Sequence, residues 1–138
     1  VSTSNIPWQE LRDHAIHATT LSYAPYSHVT VGAAALTDNG TLVTGSNVEN
    51  ASYGLTLCAE CSLVSDLARQ GGGRLVAVSI VAGDGLPIAP CGRCRQVLFE
   101  HGGKTLLVDD GSENPTRTII ELLPDAFGPD DLDTRSNS

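Results

Sequence analysis

Leu11, Ala15, Ala18 and Leu21 recur three and four positions apart, the spacing of one helix face. Asn5-Ile6-Pro7 stands before them as a start signal, with Asn5 as the capping residue and the proline early in the first turn. Ala24-Pro25 closes the segment. Two β-type runs follow, residues 29–37 and 41–47, and the turn signal Asp38-Asn39-Gly40 between them predicts a hairpin. Residues 57–70 return to helical periodicity and stop at Gly71-Gly72-Gly73. Residues 75–82 are apolar almost throughout and rich in β-branched side chains, which suits a strand covered on both faces. A second buried helix is predicted over 91–101, closed by Gly102-Gly103, then a short strand over 105–108 and a helical turn or two over 117–123. No repeat or linker divides the chain, so residues 1–132 read as one domain and the polar residues 133–138 as a disordered tail. The order α-β-β-α-β-α-β-α predicts an α/β domain, a mixed sheet with helices on its faces.

Composition narrows the function. With 138 residues, 41% of them apolar and 17% charged, the chain can fill one core and is not a disordered polar polymer. The net charge is −8, and the acid excess is concentrated after residue 108. No basic patch interrupts it, so nucleic acid and anionic membranes are excluded as expected partners and a small uncharged ligand is favoured. The longest nearly apolar run, residues 75–82, is far short of the roughly 20 residues that span a bilayer. VSTSNIPWQELRD has neither a basic n-region nor an apolar h-region, so a cytoplasmic location is expected. In that reducing compartment four cysteines suggest metal or catalysis before disulfides.

Cys58, Cys61, Cys91 and Cys94 form two C-x-x-C pairs with 29 residues between them. One such cysteine alone would read as a small buried apolar side chain, but two pairs read as a metal site, and zinc suits soft thiolate ligands. Four thiolates would make a closed structural site; three plus water would make an open catalytic one. On a regular helix Cys58 and Glu60 lie about 200° apart, so a site using both has to sit over the helix end. Glu60 favours chemistry, because a structural cage has no use for a carboxylate beside a ligand. Cys58-Ala59-Glu60 followed by Pro90-Cys91-Gly92-Arg93-Cys94 matches the zinc deaminase signature, with C-x-E in place of H-x-E.

On these motifs the chain resembles the cytidine deaminases of the small homotetrameric type. The resemblance extends to Tyr23-Ala24-Pro25-Tyr26-Ser27, Val31-Gly32-Ala33-Ala34, the run from Asn47 to Gly54, Arg95-Gln96 after the second zinc motif, and Leu123-Pro124-Asp125-Ala126-Phe127. Blasticidin-type deaminases share the zinc motifs with a different specificity, and a non-enzymatic four-cysteine zinc protein is the reading from another class. The resemblance implies a five-stranded mixed sheet sandwiched by helices, one zinc ion per subunit on Cys58, Cys91 and Cys94, and Glu60 as the proton shuttle. It implies hydrolytic deamination of cytidine and deoxycytidine in pyrimidine salvage, by a homotetramer whose subunits share sites. Asn47 and Glu49 would bind the ribose hydroxyls, with Ala51 and Tyr53 near the sugar of a neighbouring subunit.

Three departures from the family pattern stand out. Val29 occupies a position where most relatives set an aromatic ring against the pyrimidine, a loss of ~1 kcal/mol of stacking. Phe127, whose other reading is a C-terminal core anchor, would carry more of that contact. Cys61 stands where many relatives have an arginine that donates to the zinc thiolates, leaving Arg93, Arg95 or the two helix N-termini to offset the charge. Cys61 also offers a fourth sulfur, although a buried free thiol is the expected role.

Overall fold

The computed structural model describes residues 5–136. Its elements are α1 (Trp8–Thr19), β1 (Val31–Thr37), β2 (Leu42–Ser46), α2 (Ala59–Arg69), β3 (Leu75–Ala82), α3 (Gly92–Gly102), β4 (Leu107–Val108), α4 (Ile119–Leu122) and α5 (Pro129–Ser136). The sheet runs β2-β1-β3-β4, with β1 antiparallel to both neighbours and β4 parallel to β3 across the α3 crossover. Alternation along β1 divides the core. Ala33 and Ala35 join Val43, Val78 and Ile80 under α2 and α3, while Ala34 and Leu36 join Ala77 and Val81 under α1. The result is three layers, helix on sheet on helices, with β1 and β3 buried on both faces.

Two glycines let the helices sit directly on the sheet backbone. A Cβ on Gly32 would fall 2.0 Å from the Ala15 carbonyl oxygen, and one on Gly45 would fall 2.2 Å from that of Ala59. Ala59 is the first residue of α2, so the contact at Gly45 fixes where that helix begins.

Among the described residues the sheet has four strands and the expected fifth is absent. The described residues there make a single antiparallel bridge, Leu107 with Thr118, through Val108 N–H to Arg117 O at 2.8 Å and Ile119 N–H to Leu106 O at 2.8 Å. β4 has only two residues to offer, and the chain after it turns at once because Asp109 is held elsewhere. Its carboxylate takes a two-pronged contact from Arg12 of α1, Nε to Oδ2 at 2.8 Å and Nη2 to Oδ1 at 2.7 Å. Ser79 of β3 donates to Oδ2 at 2.8 Å and Gly111 N–H to Oδ1 at 2.9 Å. Burial opposes ionisation of Asp109, but Arg12, Gly111 and Ser79 together hold its carboxyl below the usual range.

Other boundaries shift for local reasons. α1 begins at Trp8 with Pro7 in the capping position, later than an Asn5 cap requires, because a tight turn from Trp8 N–H to Ile6 O leads into it. It stops at Thr19, well before Ala24, since Tyr23 is drawn into pairing with the chain after β2: Tyr23 N–H donates to Asn47 O at 3.0 Å and Glu49 N–H to Tyr23 O at 2.8 Å. α5 runs through Ser136, across the boundary expected at residue 133; positions 137 and 138 lie outside the described residues. Pro129 at its start and Asp130 and Asp131 in its first turn are helix-initiating signals.

The topology sets the site at one end of the sheet. Val31 opens β1 opposite Ala82, the end of β3, and Gly32 lies opposite Ser46, the end of β2. The segments leaving β2 and β3 at that end lead into α2 and α3, so two helix N-termini open over it.

Candidate active site

Cys58 and Cys91 are the capping residues of α2 and α3, both with extended backbone (φ −71°, ψ 157° and φ −66°, ψ 167°). Each therefore lies just outside the first turn in which the sequence placed it. The 200° separation of Cys58 and Glu60 does not arise, because Cys58 is not helical. Cys94 is buried in the first turn of α3, and the sulfurs of Cys58, Cys91 and Cys94 all lie within 4.8 Å of one another. Tetrahedral zinc with Zn–S near 2.3 Å sets its sulfurs roughly 3.8 Å apart, so the donor set and its spacing fit that ion. Two helix N-termini add partial positive charge. Burial pushes the Cys58 and Cys94 thiols up. At Cys91 burial also opposes ionisation, but the Cys94 backbone N–H and the neighbouring thiols outweigh it and hold Cys91 below the ordinary thiol range. Three thiolates this close need a cation, and binding one releases their protons.

Glu60, 4% exposed, shares a cavity of about 210 Å³ with Val31, Asn47, Thr56, Cys58 and Cys91. Burial raises its carboxyl above the usual range, and its own backbone N–H, the Cys94 thiol and the Arg93 charge offset this only in part. A buried base of raised pKa beside three convergent thiols can shuttle a proton within that cavity.

Beyond Thr56, which lines both, lies a second cavity of about 250 Å³ bordered by Tyr26, Ser27, Glu49 and Tyr53. Glu49 is held by the loop it faces. Its Oε1 accepts from the N–H groups of Tyr26 (2.9 Å) and Ser27 (3.2 Å), and its Oε2 from the Ser27 hydroxyl (2.5 Å). The Ser27 hydroxyl, ahead of the two N–H groups, keeps the Glu49 carboxyl below its ordinary range. Asn47 mimics a strand neighbour, accepting from Val31 N–H at 2.8 Å and donating to Val29 O at 2.9 Å. Val29 itself is half exposed, and Tyr53 and Ala51 are exposed, with the Tyr53 ring edge-on to Tyr26 at 6.1 Å. Phe127 is exposed as well, which removes the core-anchor reading.

The two arginines part company. Arg95 is committed to the carbonyls of Pro90 (2.8 Å) and Leu122 (2.9 Å), a fastening of α3 to α4. Arg93 Nη2 reaches Cys61 Sγ at 3.6 Å, Cys58 Sγ at 3.9 Å and Thr56 O at 3.3 Å. Cys61 is not among the three clustered sulfurs; it borders an open depression of about 610 Å³ on the β2 side of α2 with Thr44, Asp66 and Arg69. Sequence reasoning passed over Ser27 and Thr56. Their contacts join segments distant in the chain, so local pattern carries no signal for Thr56; Ser27 stands in the Tyr23–Ser27 run that carries the resemblance but was given no role there.

This arrangement, helices opening over one end of a mixed sheet with three cysteines at their N-termini, is that of a metal-dependent deaminase. The family profile described as "Cytidine and deoxycytidylate deaminase zinc-binding region" matches residues 7–109, and the chain belongs to that family. It is 56% identical over 128 residues to the cytidine deaminase of Mycobacterium tuberculosis, covering 93% of this chain and 95% of that one. The crystal structure of that enzyme superimposes with a TM-score of 0.85, over 90% of this chain and 99% of that one. The cytidine deaminase structure from Burkholderia pseudomallei, 40% identical, superimposes with a TM-score of 0.79 over 88% of this chain and 100% of that one. The metal is zinc, on the evidence of the family and the thiol cluster. No described helix is long and apolar enough to cross a membrane.

Proposed function

We propose that this chain is a zinc-dependent hydrolase that converts cytidine and deoxycytidine with water to uridine and deoxyuridine plus ammonia. The observation that carries this reading is the buried Glu60 carboxylate opening with the Cys58 and Cys91 side chains onto one cavity. Cys58, Cys91 and Cys94 hold the zinc, which when bound supplies a Lewis acid that makes water nucleophilic near neutral pH. Glu60 accepts a proton from the attacking water on a carboxylate oxygen and delivers it to ring N3, so that C4 becomes a better electrophile. It then takes the second proton from the new C4 hydroxyl and passes it to the departing amine, so that the C4 carbonyl forms as ammonia leaves. Low exposure keeps that proton from leaking to solvent.

In this reading Glu49 and Asn47 orient the sugar hydroxyls. Glu49 keeps one acceptor position after its three loop contacts, and Asn47 keeps one amide hydrogen. Val29 makes an apolar contact to the pyrimidine, and Phe127, Ala51 and Tyr53 serve the site of a neighbouring subunit. Their exposure on the single chain, together with that of Leu55 and Leu57, supports a homotetramer with shared sites. Arg93 replaces the missing arginine at position 61 by reaching across from α3 to Cys58 and Cys61. The enzyme then works in cytoplasmic pyrimidine salvage. Zinc-loaded protein mixed with cytidine should abolish the cytidine absorbance band and release one ammonia per nucleoside. Intact cytidine after prolonged incubation with fully zinc-loaded protein would refute the reaction.

A further inference from the structure

The loop between α1 and β1 folds around one carboxylate. Backbone N–H groups of Tyr26 and Ser27 both point at Glu49 Oε1, and His28 adopts a left-handed backbone (φ 63°) as the chain turns back toward β1. The Ser27 hydroxyl has two partners at once. It donates to Glu49 Oε2 at 2.5 Å and accepts the Val29 N–H at 3.0 Å. On the other side of Val29, its carbonyl oxygen accepts from Asn47 Nδ2 at 2.9 Å. Val29 is thus fastened at both ends to the two residues that face the sugar, by Ser27 toward Glu49 and by Asn47 directly.

We infer that Ser27 is a positioning residue for substrate recognition: its hydroxyl aims the Glu49 carboxylate at a ribose hydroxyl and holds Val29 in register beside the base. The inference rests on the function proposed above and adds to it a residue that touches neither metal nor reacting atoms. A carboxylate has about four acceptor positions. Two on Oε1 and one on Oε2 are taken by the loop, so the single remaining position lies on Oε2, the oxygen that Ser27 fixes. Without the hydroxyl, Oε2 is free to rotate away and the Val29 N–H loses its acceptor in the same stroke. Binding suffers, whereas the proton path through Glu60 stays intact.

The test is steady-state kinetics of zinc-loaded Ser27→Ala and Ser27→Thr beside the wild type, on cytidine and on 2′,3′-dideoxycytidine, with melting temperature and zinc content recorded for each. For Ser27→Ala on cytidine, KM should rise about tenfold with kcat changed less than about threefold, the pattern of lost uniform binding. Ser27→Thr keeps the hydroxyl and should recover most of that affinity. The penalty should be several-fold smaller on the dideoxy substrate, which lacks the 2′ and 3′ hydroxyls and keeps only the share that comes from Val29 beside the base. A merely structural role would penalise both substrates equally, and that result overturns the inference, as does an unchanged KM on cytidine. A wild-type enzyme that turns over neither nucleoside overturns the proposed function itself and this inference with it.

Discussion

The two halves of the site are built differently. At the metal end, rigid helix starts hold three thiols and a buried carboxylate, and every group comes from within one chain. At the other end, a folded loop holds Glu49, and the large side chains nearby, Tyr26, Tyr53 and Val29, stand in the open. The difference teaches where precision is needed. Bond-making tolerates little misplacement, so it rests on secondary structure anchored by close backbone contact at Gly45. Holding an uncharged nucleoside needs oriented donors and acceptors and apolar cover, which a loop and a second copy of the chain can supply.

The contrast breaks most sharply at the metal end. Glu60→Gln should lower kcat by about 10²–10⁴-fold while retaining its zinc, since only a proton acceptor is removed. Kinetics paired with metal analysis checks this, and an active variant would take Glu60 out of the mechanism. Arg93→Gln should weaken zinc binding about tenfold or more, the usual consequence of removing a group that supports metal ligands. Competition with a chelator reads that affinity directly, and Arg95→Gln should leave it unchanged, because Arg95 contacts only carbonyls.

Smaller effects belong to the Glu49 end and the scaffold. Phe127→Ala should raise KM for cytidine by roughly fivefold with zinc content intact, the scale of one aromatic contact. If that ring serves a neighbouring subunit, wild-type KM should also rise on dilution to concentrations at which sedimentation shows subunits separating. Asp109 gives the mildest signature. Its folded carboxyl titrates below its unfolded value, so its contribution is present above the unfolded carboxylate pKa of about 3.9 and is lost as pH falls through the folded one. Asp109→Asn should therefore be less stable at neutral pH and show a shallower loss on acidification in urea unfolding.

How much of this was legible in the sequence follows the same division. Residues 75–82 were readable as a strand because burial on both faces imposes an unbroken apolar run, and the structure has β3 at those residues. The cysteine pairs and Glu60 were readable because metal chemistry demands fixed residue types at short spacing. Cys58 and Cys91 were placed two positions and one position too far into their helices, since periodicity does not distinguish a cap from a first-turn residue. The fifth strand was expected from resemblance alone, and the Arg12–Asp109 pairing that turns the chain away after β4 joins residues 97 apart. α5 was missed because its polar composition resembles a tail, although Pro129 and its two following acids announce a helix start. Ser27 and the separation of Arg93 from Arg95 became visible only with the tertiary contacts.

The measurement that bears most directly on the metal end is zinc K-edge absorption of the wild-type protein. Three sulfurs near 2.3 Å and one lighter atom are expected, from Cys58, Cys91 and Cys94 with a position left for water. Four sulfurs would place Cys61 in the shell, close the position that hydrolysis requires, and contradict the account.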